Sequence, residues 1–189
     1  MCIRDRHFLI DIIRNKLFYA AKFTELNDPM EGVYRFSDNI PYQTREMVFE
    51  EKERYRICAL SKIKNSTLMW AHYADSHRGV ALGVNPCFTN NNFEEIDVAY
   101  AADLRMWGTM GSPRTIAKEA LSKKLDHWKY EEEVRILTRE KFVPIEIEEV
   151  LIGCRADESE VKRIRFLFET IVDKSKIRQL QRDELDVNV

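Results

Sequence analysis

Glycine is scarce in this chain, 6 in 189 residues, and none of the six lies in a Gly-x-Gly-x-x-Gly or Walker-type run. That excludes the two glycine-rich phosphate cradles of dinucleotide and P-loop sites. Cysteine is also sparse. Cys2, Cys58, Cys87 and Cys154 are scattered, with no Cys-x-x-Cys pair, a pattern of reduced thiols rather than a disulfide framework. No apolar run approaches the roughly 18 residues of a membrane span, and no signal-peptide core precedes a small-residue cleavage site. The cytoplasm is the expected setting, with no membrane partner. Neither sign of charge dominates: 30 Lys and Arg face 32 Asp and Glu, a net charge of −2. Whole-chain recognition of nucleic acid therefore has no electrostatic footprint.

What is present suits a globular chain. Hydrophobic residues make up 44% and aromatics 11%, enough to build a core at this length. A single domain over residues 7–189 is expected. Residues 1–6, MCIRDR, resemble an adapter-derived scar of translated metagenomic contigs and are read as non-native, with few apolar contacts.

Helical spacing of Phe8, Leu9, Ile12, Ile13 and Leu17 predicts an amphipathic helix, followed by a short strand to Ala21. Asn27-Asp28-Pro29 signals a turn. Gln43 to Tyr55 reads as an exposed, mobile helix. Strands are predicted at Ile57–Ser61, Gly79–Val84, Glu95–Ala101, Glu133–Thr138, Ile147–Gly153 and Ile177–Gln181. Helices are predicted at Ser66–Ala74, from Ser112-Pro113 to about Trp128, and at Glu158–Ile171. There is no regular βαβ period, so the fold class is α+β, with a mixed or antiparallel sheet packed by helices. The strands ending at Ser61, spanning Gly79–Val84 and spanning Glu133–Thr138 are expected in one sheet. Gly79 is expected to supply a backbone conformation or a close approach that a side chain would forbid.

Two segments carry candidate chemistry. In the first, Ser61 ends a strand, and a helix carries Met69, Trp70, His72 and Tyr73. Met69, Trp70 and Tyr73 are placed on one helix face, which is core in the plain reading. His72 and His77 have the pKa range for acid–base work or ligand contact. In the second, WKYEEEVRIL at 128–137, Glu131, Glu133 and Arg135 are two apart and share a strand face. Such a row is either a solvated edge strand guarded by charge or the acidic wall of a site, for a ribose hydroxyl or a developing cation. A pair of glycosidase carboxylates ranks lower, since neighbours on one strand seldom straddle a substrate. The polar groups of Asn27-Asp28-Pro29-Met30-Glu31 either line the same cleft or form a capped turn. Cys58, His72, His77 and Cys87 have metal-ligand types, but their spacing matches no compact finger, and no metal is expected. The Gly-x-x-Gly of Trp107–Thr115 before a helix is read as a turn rather than a phosphate site.

NDPMEG at 27–32, LSKIKNSTLMWAHYADSHRGVALGV at 60–84 and WKYEEEVRIL at 128–137 together resemble a bacterial family known as domain of unknown function 2971, in motif order and approximate spacing. Its members usually begin with a further strand carrying a Tyr-Lys-Tyr-like element, so the resemblance implies a chain lacking that strand. The family carries no established activity. A more distant similarity is to ADP-ribosyltransferases, through Ser61 at a strand end and Glu131-x-Glu133 at the start of another. That likeness implies Glu133 as the catalytic carboxylate, Glu131 as its accessory, and Trp70 or Tyr73 as a stacking surface. The chain departs from that pattern, with neither a first-strand His or Arg nor a Ser-Thr-Ser context at Ser61.

Two functions follow as expectations. One is a nucleotide pocket, with NAD as cofactor or substrate and chemistry at the glycosidic bond: Glu133, Glu131 and His72 catalytic, and Ser61, Trp70, Tyr73, His77, Asn27, Asp28 and Arg135 binding ligand. The other is a non-catalytic module for a small ligand or partner protein, serving stress response or phage defence. Convergence of Ser61, His72, Tyr73, Glu131 and Glu133 on one concave pocket separates them.

Overall fold

Short apolar runs closed by polar turns form the strands, and capped amphipathic runs form the helices. The computed structural model describes residues 2–4, 9–36, 40–88, 90–106 and 111–186, with the backbone alone at 2–4 and 105–106. In chain order the first elements are β1 (Cys2–Arg4), α1 (Leu9–Asn15), β2 (Leu17–Tyr19), β3 (Arg35–Phe36) and α2 (Tyr42–Arg54). Next come β4 (Arg56–Ser61), α3 (Thr67–Tyr73), β5 (Val80–Pro86), β6 (Phe93–Asp97), β7 (Ala99–Ala101) and β8 (Arg105–Met106). The chain continues through α4 (Pro113–Leu121), β9 (Lys123–Leu125), β10 (Glu133–Thr138), β11 (Phe142–Ile152), α5 (Glu158–Phe168) and β12 (Ile177–Gln179). Side-chain oxygens cap three helices: Ser66 accepts from the Met69 amide, Ser112 from Thr115, and Asp157 from Glu160. Each satisfies an amide that the first turn leaves without a partner.

The class is α+β, with two principal sheets. One runs β1-β5-β11-β12, with β2 also on β11; the other is the antiparallel trio β4-β10-β6. The expectation that the three strands share one sheet is therefore corrected: β4 and β10 pair, but β5 belongs to the other sheet. The reason is that the sheets share a core. Cys58 and Leu60 of β4 and Val134 and Ile136 of β10 cluster with Val80, Leu82, Val150 and Ile152 of β5 and β11. An apolar run reports burial, whereas its pairing partner is a non-local matter. The opposite face of β5 and β11 buries Ala81 and Leu151 against Trp70 and Ala74.

The Cys2–Arg4 backbone, inside the segment read as a scar, pairs with β5; the few apolar contacts expected of Met1 to Arg6, and the place of Phe8, lie outside the described residues. Two further expectations change, one of them in part. The helix read as exposed, α2, does present most of its residues to solvent, but it buries Val48 against Ile116 and Ala117 of α4, and buries Lys52 as well. The helix predicted to reach Trp128 ends at Leu121, and β9 and a 3-10 turn at Asp126–Glu131 replace its second half. Lys123–Leu125 pairs in parallel with β7 instead, a tertiary pairing that overrides local helix propensity. Residues 107–110 of the Gly-x-x-Gly segment lie outside the described residues. Cys58 is a core residue. Among the described residues no helix is long and apolar enough to cross a membrane.

The turn from α3 to β5 explains Gly79. Asp75, Ser76 and His77 all have positive φ, so the chain reverses tightly and the Gly79 amide donates to the Ala74 carbonyl at 2.7 Å. A Cβ on Gly79 would lie 2.8 Å from Ala74 Cα and 2.9 Å from its carbonyl carbon, and backbone on both sides leaves no flexible atom to yield. Gly79→Ala is expected to cost about 1–3 kcal/mol, the usual penalty of overpacking. Denaturant unfolding would show this as a lower midpoint at unchanged slope; an unshifted midpoint would mean that the turn relaxes freely.

Candidate functional site

The β4–β10 register builds one wall of a cleft. Glu133 stands opposite Ser61, Arg135 opposite Ala59 and Leu137 opposite Ile57, so all six share one sheet face. Val134 and Ile136 point the other way, into the core. Against that wall lies a cavity of ≈ 360 Å³, lined by Ile57, Ala59, Leu60 and Ser61, by Met69 and Tyr73 of α3, and by Glu131 and Glu133. Tyr19, Ala21, Glu25, Leu26, Asn27 and Glu31 complete it. Its volume falls at the lower end of small-molecule sites, about 300–1,000 Å³.

Its floor is a buried ion network. Arg135, 0% exposed, donates through Nε to Glu133 Oε1 at 2.7 Å and through Nη2 to Glu31 Oε1 at 2.7 Å and Glu133 Oε2 at 3.1 Å. Its Nη1 donates to the Leu121 carbonyl at 2.6 Å. Lys124 Nζ reaches Glu131 Oε2 at 2.5 Å, Glu133 Oε2 at 3.1 Å and Glu31 Oε1 at 3.5 Å, and stands 4.8 Å over the Trp128 ring. Burial opposes the charge on Glu133, but Arg135 and then Lys124 outweigh it and hold the carboxyl below its ordinary range. Burial likewise opposes the Lys124 charge, and Glu133 and Glu131 raise it above the usual lysine value.

Three carboxylates thus share two cations. One oxygen in the network, Glu31 Oε2, is buried with no hydrogen-bond partner. Glu31 itself is held from behind, because Lys52 Nζ donates to the carbonyl of the next residue, Gly32, at 2.7 Å. The ammonium sits 4.2 Å from the Phe23 ring centroid and 4.8 Å from that of Tyr34. Above the floor the Tyr73 hydroxyl donates to Glu131 Oε1 at 2.7 Å. Burial, then Glu131, pushes its phenol pKa up, so Tyr73 stays a protonated donor. Ser61 Oγ donates to the Glu131 carbonyl at 2.7 Å and fixes the backbone there, while the Glu133 amide donates to Tyr100 Oη at 2.8 Å.

Of the five residues whose convergence was the test, Ser61, Tyr73, Glu131 and Glu133 line the cleft. His72 does not: it is exposed, its ring 6.3 Å from Tyr73 and 6.4 Å from Tyr130. Trp70 departs too. It is a core residue whose Nε1 donates to the Lys64 carbonyl at 2.8 Å, which corrects both the stacking role and the shared face. At about 100° per residue Trp70 is rotated a full step from Met69, and although it stands three residues from Tyr73 its ring is buried in the core while Met69 and Tyr73 line the cleft. His77 lies away from the cleft in the left-handed turn, with Nδ1 buried and unpartnered. Burial, then Arg155, lowers its pKa. Asn27 lines the cleft mouth. Asp28 is instead a capped turn, accepting from the Met30 amide at 2.8 Å.

The edge-strand reading of the Glu row is overturned, since β10 is the central strand of its sheet and buried along its length. Glu131 does not extend that strand. It ends the 3-10 turn, and Glu132 at φ 41 in the left-handed region redirects the chain between the two carboxylates. Glu31 lines the cleft, one of the two alternatives that the sequence leaves open for the 27–31 segment. Lys124 is not singled out by the sequence, which places it inside a helix. No family model, curated protein or solved structure matches the chain.

The network fixes two stability predictions. Glu133→Gln leaves Arg135 and Lys124 undercompensated in a buried site, and is expected to destabilise by about 3–5 kcal/mol in equilibrium unfolding. A loss under about 1 kcal/mol would mean that the floor is wet. A carboxyl held below its unfolded value adds stability that is present above that value and lost as pH falls through the folded one. Lys124, raised, adds stability that is lost only as pH climbs above the ordinary lysine range. Stability should therefore fall from about pH 4.5 downward, with Glu133 as a principal contributor, after a lesser decline that begins near pH 6.5, where the unfolded chain takes up a proton that folded His77 resists. An unfolding midpoint flat to about pH 3 would contradict this.

Proposed function

We propose that the protein binds a small molecule in this cleft and recognises it through hydrogen-bond donors or positive charge set against the acidic floor. One observation carries the reading: Glu31 Oε2, buried and without a partner, belongs to a residue that lines the cavity. Leaving a buried acceptor unsatisfied costs on the order of 1–3 kcal/mol, more for a charged group. A donor on a bound molecule recovers that energy. The apolar lining from Ala21, Leu26, Ile57, Ala59 and Met69 supplies contact area for the body of such a molecule. The motif likeness to the bacterial domain of unknown function 2971 spans the same segments, 27–32, 60–84 and 128–137.

A second reading, glycosyl transfer on NAD, draws support from a separate observation. Glu131 and Glu133 line one cavity together with Tyr73 and Ser61, as an acidic wall facing oxocarbenium-like charge would require. Weighing against it, both oxygens of Glu133 are engaged by Arg135 and Lys124, which diminishes the negative potential left for a substrate. The ligand-binding reading is therefore primary.

Fragment screening by ¹H–¹⁵N NMR tests it. Binders should move the amides of Ser61, Tyr73 and Glu131 together, and a library that moves none of them would end the proposal. For the second reading, incubation with NAD should release nicotinamide, and Glu131→Gln should abolish the release. No release from wild-type protein would remove the enzyme reading and leave the binding one.

A further inference from the structure

Resting on the ligand-binding reading, and narrowing it, we infer that the cleft takes an organic cation: a protonated amine or guanidine attached to an apolar body. Four of the lining side chains are glutamates, Glu25, Glu31, Glu131 and Glu133, and none is a lysine or arginine. The two cations beneath the floor are consumed. Arg135 spreads its donors over Glu133, Glu31 and the Leu121 carbonyl, and Lys124 bridges all three carboxylates. With every group in its formal state, the floor carries one negative charge more than positive. The excess has a position, because Glu31 Oε2 is the one floor oxygen recorded as buried and unpartnered, on a residue 5% exposed.

The alternatives fit less well. A phosphate or other anion would meet four carboxylates and no free donor cation, and repulsion in a poorly hydrated site is strong. A metal ion would need Glu31, Glu131 and Glu133 to release Lys124 and Arg135, whose own charges would then repel it. A neutral hydroxyl would satisfy the geometry of Glu31 Oε2 but leave the charge excess. An ammonium or guanidinium satisfies both, through a charge-assisted hydrogen bond. Ala21, Leu26, Ile57, Ala59 and Met69 then pack the carbon body, and the Tyr73 ring adds an aromatic surface, with cation–π attraction where the charge comes within about 6 Å of its face.

The test uses benzylamine, protonated at pH 7.5, and its neutral isostere benzyl alcohol, titrated into the full chain and followed by NMR shifts of the cleft amides. Benzylamine is expected to bind at least tenfold tighter, and Glu31→Gln should cut that ratio to less than threefold while leaving the rest of the spectrum in place. The preference should also persist in 0.5 M salt, because a buried pair is screened far less than an exposed one. That measurement needs only wild-type protein, so it stands even if Glu31→Gln fails to fold. Equal binding of the two probes, or a preference that salt erases, overturns the cation assignment while the cleft remains a ligand site. Should neither these probes nor any fragment move the cleft amides, the underlying ligand-binding reading falls with it.

Discussion

The side chain on which this structure most depends is Arg135, a guanidinium with no solvent exposure in the central strand of a three-stranded sheet. A buried charge of this kind persists only when its partners are excellent, because desolvation costs several kcal/mol for each ion. The fold supplies them from three places, one of them distant in the chain. Glu133 comes from two residues upstream on the same strand, Glu31 from a turn more than a hundred residues earlier, and the Leu121 carbonyl from the end of α4. Lys124 then ties Glu131 into the same network. The constraint runs outward from there. The helix must stop at Leu121 for its carbonyl to cap the guanidinium, and the chain must turn at Glu132 for both flanking carboxylates to face one cleft.

The network is stapled more than it is stabilising. Well-packed apolar residues of equal volume would often serve stability as well or better. What it adds is position: five charged groups that fix one another fix the cleft floor. Lys52 extends the arrangement by holding the Gly32 carbonyl beneath an aromatic cover, so that Glu31 is set by contacts on either side of it. The left-over oxygen of Glu31 is then a consequence of stoichiometry, since three carboxylates meet two cations.

Much of this was legible in the sequence, and the illegible part has a physical pattern. Period-two alternation placed Glu133 and Arg135 on one face of β10 and Val134 and Ile136 on the other, and the strand bounds agree with the structure. At Gly79 the sequence leaves a special backbone conformation and a close approach open, and the structure has the close approach, to Ala74. The face of α3 was half readable: Met69 and Tyr73 follow the helical repeat to the cleft, while Trp70 turns into the core. The failures are non-local. Nothing near Lys124 in the chain announces that it pairs with glutamates from two other segments, so its stretch read as helix. The apolar run of β5 reports burial on both faces but not which sheet contains it. His72 and His77 drew notice by residue type, and their positions, an exposed helix face and a strained turn, separate them from the acidic site.

A double-mutant cycle on Glu133 and Arg135 measures the central constraint most directly. Glu133→Gln and Arg135→Met, alone and together, would be compared by equilibrium unfolding at pH 7. If the two side chains share one buried network, the double variant should be more stable than the sum of the single losses implies, with a coupling of at least about 1 kcal/mol. Losses that add within about 0.5 kcal/mol would mean the charges act independently, and would contradict a floor built on Arg135.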